Sequence, residues 1–388
     1  MLIGVRRFAW LALAAVVPLV VTSLEACSED RPGPMQQKKT TSGAGGGSLF
    51  DAGLAGGPPS LDAPGLCGNE LHQVVFDAPN LYFVLDRSGS MAAPVAGDTA
   101  YDVVRAAMLS LVKHLGALVR VGAAIFPGIS LGDTCAPGEE VFAVTQGDPV
   151  QPNGTEGPVT TALRFATKVA PSGGTPTSAT LEVLLPTLAA LPGRTIVLLA
   201  TDGAPNCNSE ASCGLDECQA YLEGYCDPNV NCCLPGGTAG PLNCVDRPAT
   251  VAAVEAIHAL GIDVYVIGIP GSDLYSGVLD AMATAGGTAH SQFPLYVKVD
   301  DLATLEPTFA AIAAAAITCE FTLSDPPTDK GLTNVYLDGT VVPYDPANGW
   351  TWVGDDRVWL HGDACSLLKT GGAVNVQIVS GCPTELPQ

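Results

Sequence analysis

Two uninterrupted apolar runs dominate the middle of the chain. Leu81–Leu85 leads straight into Asp86, and Thr195–Thr201 (TIVLLAT) leads straight into Asp202. Short continuous runs of this kind predict strands buried on both faces of a parallel sheet. A carboxylate cannot sit unpaired in such a core, so each strand is expected to finish at the sheet edge, at its aspartate. Further strands are predicted over Val119–Phe126, Asp263–Ile269 and Leu295–Val299, with a short edge strand over Glu139–Val144. Between them apolar residues recur at helical spacing. Val104, Met108, Leu111 and Leu115 form one such face; Val251, Val254 and Ile257 form another, ended by Gly261. Helices are also predicted over Thr160–Thr167, Thr177–Leu191 (broken at Pro186), Ser276–Ala285 and Asp300–Ile317. Alternating strands and helices predict an α/β fold with a doubly wound, mostly parallel sheet.

The two ends of the chain follow other patterns. Arg6 and Arg7 precede an apolar run, Phe8–Val21, too short to span a bilayer comfortably. With its charged start it reads as an export signal over residues 1–27. Its end, Leu24-Glu25-Ala26 before Cys27, resembles the lipobox of bacterial lipoproteins, with Glu25 where a small residue is usual. That resemblance implies an acylated Cys27 and membrane contact by a lipid anchor only. Residues 28–66 are rich in Gly, Pro, Ser and Gln and predict a flexible linker. At the other end, 320–388 carries short strand-like runs at Val335–Leu337, Val358–Leu360 and Val374–Val379. Asp338-Gly339 and Asn348-Gly349 supply turns, so a small β-rich C-terminal module is expected. Trp350, Trp352 and Trp359 fall within it, either as its own core or as an exposed carbohydrate platform.

Charge and cysteine content narrow the function. The 388 residues carry a net charge of −22, which argues against a nucleic-acid surface and favours cation binding or solubility. Thirteen cysteines point to an oxidising compartment. Seven of them, Cys207, Cys213, Cys218, Cys226, Cys232, Cys233 and Cys244, crowd into an insertion at 206–246 just after Asp202. No histidine lies there to complete a zinc site, so disulfides are the expectation. The insertion is either a stapled cap that shapes a ligand surface or a decorated loop ordered by its cross-links. His72, His114, His258, His290 and His361 are scattered, and no Ser/His/Asp spacing or phosphate-binding glycine loop is present.

The remaining chemistry gathers at the two aspartates. Ser88 and Ser90 follow Asp86 at alternate positions, with Gly89 between them for a tight turn. Gly173-Gly174-Thr175-Pro176-Thr177 offers further hydroxyls, and Gly203 follows Asp202. This is an all-oxygen donor set, suited to a hard divalent cation. DxSxS after one strand, GGTPT before a helix and TDG after a later strand resemble the metal-ion-dependent adhesion site of the von Willebrand factor type A (VWA) family. The resemblance implies a Rossmann-like VWA domain over residues 67–319. It implies Asp86, Ser88, Ser90, Thr175 and Asp202 as metal ligands, with Thr177 the weaker choice of threonine. The implied cation is Mg²⁺, with Ca²⁺ and Mn²⁺ as alternatives. The implied function is metal-dependent binding of a protein ligand, whose acidic side chain completes the coordination, and not catalysis. The expected location is the bacterial envelope, in the periplasm or at the outer membrane or cell surface. A metal-assisted phosphoesterase using Asp86 as nucleophile is the enzyme alternative, but it needs a second carboxylate where this chain has Ser88. A purely structural envelope protein is the third reading.

With Cys27 set aside for lipid, twelve cysteines remain to pair. Placement on the resembled fold suggests Cys67 with Cys319, closing the domain, and Cys365 with Cys382 inside the last module. Cys135, on the metal edge, is expected to complete the seven of the insertion to eight, in a pattern the sequence leaves open.

Overall fold

The structure is a computed structural model. It describes residues 70–387, apart from 131, 152, 216, 220, 221, 223–225, 228, 229, 236–238 and 374. Cys27, the export signal, the linker and Cys67 lie outside the described residues. No described helix is long and apolar enough to cross a membrane.

Two short strands, β1 (Glu70–His72) and β2 (Val74–Val75), come first. The central strand β3 (Asn80–Asp86) follows, and all seven of its residues are buried. A small hairpin, β4 (Pro94–Val95) and β5 (Asp98–Thr99), leads into α1 (Ala100–Leu115). Thr99 caps that helix, its hydroxyl accepting the Asp102 N–H at 3.1 Å. Then come β6 (Arg120–Phe126), β7 (Glu139–Gln146), α2 (Pro158–Ala166), α3 (Thr177–Ala189) and β8 (Thr195–Thr201). After the insertion follow α4 (Gly240–Asn243), α5 (Arg247–His258), β9 (Asp263–Gly268), α6 (Ser276–Ala285), β10 (Val297–Lys298) and α7 (Leu305–Ala316).

The six long-range strands form one sheet in the order β10-β9-β8-β3-β6-β7. Five run parallel; only β7, at the edge, is antiparallel. The period of two along β3 divides its side chains between two cores. Leu81, Phe83 and Leu85 join α1 and α7 on one face. Tyr82 and Val84 join α3, α5 and α6 on the other. Strand β8 divides in the same way, with Ile196, Leu198 and Ala200 against Val197 and Leu199. Burial on both faces is why these runs contain no polar break. One expected break is absent: α3 passes through Pro186. Pro186 and Glu182, whose carbonyl it leaves without an intrahelical donor, both lie on the exposed face of the helix, where water can take the donor's place.

The last part of the chain comprises β11 (Glu320–Leu323), β12 (Thr333–Leu337), β13 (Thr340–Val342), β14 (Trp350–Val353), β15 (Arg357–Leu360), α8 (Gly362–Lys369) and β16 (Val376–Ser380). It builds two four-stranded sheets, β1-β16-β12-β13 and β14-β15-β11-β2. Residues 70–75, assigned from sequence to the α/β domain, therefore supply a strand to each of the C-terminal sheets. The module does not stand apart either. Val335, Trp350, Val358 and Ile378 belong to the same buried cluster as Leu81 and Phe309. Trp350 is fully buried, whereas Trp359 is 41% exposed.

His72 fastens the first strand to the last. Its Nδ1 donates to the Asp325 carbonyl at 2.6 Å, and its Nε2 meets the Ser380 hydroxyl at 2.8 Å. His72→Leu removes both bonds, leaving the exposed Asp325 carbonyl to water and the buried Ser380 hydroxyl with only Glu70 at 3.3 Å, at a cost of about 1 kcal/mol. The expected outcome is a lower denaturant midpoint with an unchanged slope, read by urea titration.

The expected pairs Cys67–Cys319 and Cys365–Cys382 are corrected, because Cys319 is bridged to Cys365. The reason is local. β11 pairs with β15, with Glu320 opposite Trp359, and α8 follows β15 directly. Cys319 and Cys365 are thereby neighbours across that pair. Cys382 is also in a disulfide. In the insertion the bridges are Cys135–Cys207, Cys213–Cys244, Cys218–Cys233 and Cys226–Cys232. Two trios of sulfurs there, Cys213/Cys233/Cys244 and Cys218/Cys226/Cys232, lie within 4.8 Å of one another. All six are bridged, so neither trio has the free thiolates a zinc site needs.

Candidate metal centre

The parallel register sets the geometry of the site. Leu85 lies opposite Ala200, so Asp86 and Thr201 end their strands side by side. The Thr201 hydroxyl donates to Asp86 Oδ2 at 2.5 Å. The chain then turns, and the Ser88 N–H donates to Asp86 Oδ1 at 2.7 Å. Ser88 Oγ and Ser90 Oγ stand 3.1 Å apart, and Ser90 donates to Asp202 Oδ1 at 2.7 Å. One hydroxyl thus links the two strand-end loops. Thr175 faces the same place. A methyl group at Gly203 would stand 3.7 Å from Ser90 Oγ and 3.9 Å from Thr175 Oγ1. The five residues singled out in the sequence are therefore gathered from three segments. Thr177 turns elsewhere, its hydroxyl directed to the Thr175 carbonyl at 3.4 Å.

Backbone bonds hold the three loops against one another. Gly89 N–H donates to Gly173 O at 2.8 Å, and Ser172 N–H to Arg87 O at 2.7 Å. Thr175 N–H donates to Asn206 Oδ1 at 2.7 Å, and Asn206 N–H returns to Thr175 O at 2.9 Å. Thr201 and Asn206 are contributors that the sequence reading missed. Thr201 was visible only as the last residue of a strand. Asn206 opens the cysteine-rich insertion, where nothing in the spacing marks it.

The electrostatics are those of a site short of positive charge. Asp86 and Ser88 are fully buried, Thr175 is 3% exposed and Asp202 8%. Burial, and then the Asp202 charge beside it, holds the Asp86 carboxyl well above the usual carboxylate range. Hydrogen bonds from Thr201 and Ser88 offset this in part. Burial also raises Asp202, against the pull of the Ser90 hydroxyl. The nearest cation by sequence, Arg87, points away and donates to the Pro127, Ala170 and Gly128 carbonyls. None of the described ion pairs includes Asp86 or Asp202. Two crowded carboxylates ringed by hydroxyls fit a hard divalent cation, whose charge would answer both.

No family model matches the chain, and no curated protein does. Solved structures do. The chain is similar to pilus adhesins and to von Willebrand factor type A domains. The pilus adhesin SpaC of Lactobacillus rhamnosus GG, in its open conformation, is 15% identical with a TM-score of 0.45. That match covers 80% of this chain and 40% of the adhesin, so the chain spans about two fifths of its length. The PilB minor pilin of Streptococcus sanguinis is 20% identical at a TM-score of 0.40, over 61% of this chain and 60% of that one. The vWF domain of the type V pili tip protein Mfa5 of Porphyromonas gingivalis is 12% identical at 0.40, over 62% and 95%.

Proposed function

We propose that this protein is a non-catalytic, adhesion-type binding protein of the bacterial envelope. It engages a protein ligand through a divalent cation held by Asp86, Ser88, Ser90, Thr175 and Asp202. Mg²⁺ is the first choice, with Ca²⁺ and Mn²⁺ as alternatives. One observation carries the reading: two buried carboxylates, linked through Ser88 and Ser90, are crowded together with no described cationic side chain to answer them. Three of the five donors are neutral hydroxyls, and five donors leave an octahedral cation a coordination position that an acidic side chain of the partner can fill. Such a bridge also lets a chain of net charge −22 bind an acidic group at all.

The surroundings support a protein ligand. Ile129 and Leu274 follow the carboxyl ends of β6 and β9, and they are 61% and 85% exposed. Exposed apolar side chains on the strand-end edge that carries the site suit a protein partner. The catalytic alternative lacks its acid, because position 88 is a serine. Export and acylation at Cys27 would set the protein at the membrane on its linker.

The test is capture from envelope extract by the immobilised full chain, in Mg²⁺ and in chelator, beside Asp86→Ala. A partner retained by wild type only in Mg²⁺, and never by the variant, is the expected result. Equal capture in chelator would leave the cation no part in binding.

A further inference from the structure

The Thr175 hydroxyl stands at the end of a short clasp. On one side are Thr134 and Cys135, on the other Asn206 and Cys207, and Gly174-Thr175 runs between them. Gly174 N–H donates to Thr134 O at 2.8 Å. Thr175 is bonded to Asn206 through both its N–H and its carbonyl. The Cys135–Cys207 disulfide closes the two sides over Gly174. The fit is tight enough to require glycine. A methyl group there would lie 2.5 Å from Cys207 Sγ, 3.1 Å from Asn206 Oδ1 and 3.5 Å from Cys135 Sγ. Cys207 itself has φ +65°, a left-handed conformation that side chains other than glycine adopt at a cost of about 1 kcal/mol or more. Such a backbone persists only where its surroundings hold it. Here the holding contacts are the bridge and the Cys207 N–H bond to Pro241 O at 2.7 Å.

We propose that the metal site is closed by oxidation. The Cys135–Cys207 bridge, acting through Asn206 and Gly174, sets the Thr175 hydroxyl in place, so cation affinity is acquired when the two thiols are joined. This rests on the metal-site reading above. The step forms one S–S bond between Cys135 and Cys207. It releases two protons and passes two electrons to a disulfide-bearing oxidant, whose own S–S bond becomes two thiols. Asn206 and the two cysteines are positioning residues and touch no ligand. The consequence is compartmental. A reduced chain inside the cell keeps Asp86 and Ser88 but lacks a fixed Thr175, and the site matures where disulfides form.

The experiment measures Mg²⁺ and Mn²⁺ affinity of the oxidised full chain by calorimetry. Its variants are Asn206→Ala, the double serine replacement of Cys135 and Cys207, and the same replacement of Cys226 and Cys232. The last pair removes a bridge of the same insertion that spans only 6 residues. Both Asn206→Ala and the Cys135/Cys207 variant should bind the cation about 10–100-fold more weakly, the usual effect of losing an outer support. The Cys226/Cys232 variant should bind as wild type does. Wild-type affinity in a folded Cys135/Cys207 variant, or in Asn206→Ala, overturns the proposal and spares the metal reading. Equal weakening in the Cys226/Cys232 variant also overturns it, because the effect would then be general loosening. A wild type that binds neither cation removes the metal reading and this proposal with it.

Discussion

Asp86→Asn is expected to change stability in opposite directions with and without a divalent cation. In chelator, wild type holds two buried carboxylates whose charged forms are disfavoured by burial and by each other. The amide is close in shape, keeps an oxygen for the Ser88 N–H and removes one of the two charges. The variant should therefore melt higher than wild type in chelator at neutral pH. The pH dependence follows with a definite sign. Asp86 binds its proton more tightly folded than unfolded, so wild-type stability in chelator falls as pH rises above the ordinary carboxylate range. The variant should lack most of that fall. In Mg²⁺ the order reverses. A cation that binds only the folded state adds about 2.7 kcal/mol at a hundred times its dissociation constant. Asp86→Asn should forfeit that gain, with affinity lowered more than about 100-fold, since even outer supports are worth 10–100-fold. Thermal melts of both proteins in chelator and in saturating Mg²⁺ read all of this. An equal Mg²⁺ shift in the two proteins would remove Asp86 from the site.

What could be read beforehand follows from what is local. Leu81–Leu85 and Ile196–Ala200 announce themselves because a strand covered on both faces excludes polar residues over its whole length. Their aspartates mark where the apolar run ends. Asp86, Ser88 and Ser90 are near neighbours in sequence, so one turn brings them together. Thr175 and Asp202 follow once the strand order is known. The C-terminal sheets had no such signature. Strand β1 pairs with β16 across some 308 residues, with His72 opposite Ile378. Strands of two to five residues carry too little alternation to declare a partner at that distance. Cysteine pairing is worse placed, since it depends on which loops meet. Cys319 and Cys365 meet only because β11 and β15 pair. Asn206 is invisible for a related reason: its role lies in one side-chain bond across 31 residues to Thr175.

Trp350→Ala is expected to destabilise the whole described chain, and not the C-terminal sheets alone. Trp350 is fully buried and packs edge-to-face against Tyr344 and Trp352, with ring centroids 5.0 and 5.6 Å away. Truncating such a side chain costs about 3–5 kcal/mol. In a chain of this size that corresponds to roughly 4–8 °C in melting temperature. The loss cannot stay local, because Trp350 shares its buried cluster with Phe309 of α7 and Leu81 of β3. Helical ellipticity, dominated by the helices around the large sheet, should fall in the same transition as tryptophan fluorescence from Trp352 and Trp359. Trp350→Phe provides the contrast. It keeps an aromatic ring against Tyr344 and removes an indole N–H that is buried without an acceptor among the described residues. The cavity it leaves and the relief of that N–H act in opposite directions. Its cost should therefore fall well below that of alanine. Far-ultraviolet circular dichroism and fluorescence melts of the three proteins decide the matter. If the fluorescence transition of Trp350→Ala moves down while the helical transition stays at the wild-type temperature, the sheets unfold separately. The shared cluster would then join two independent units instead of one cooperative body.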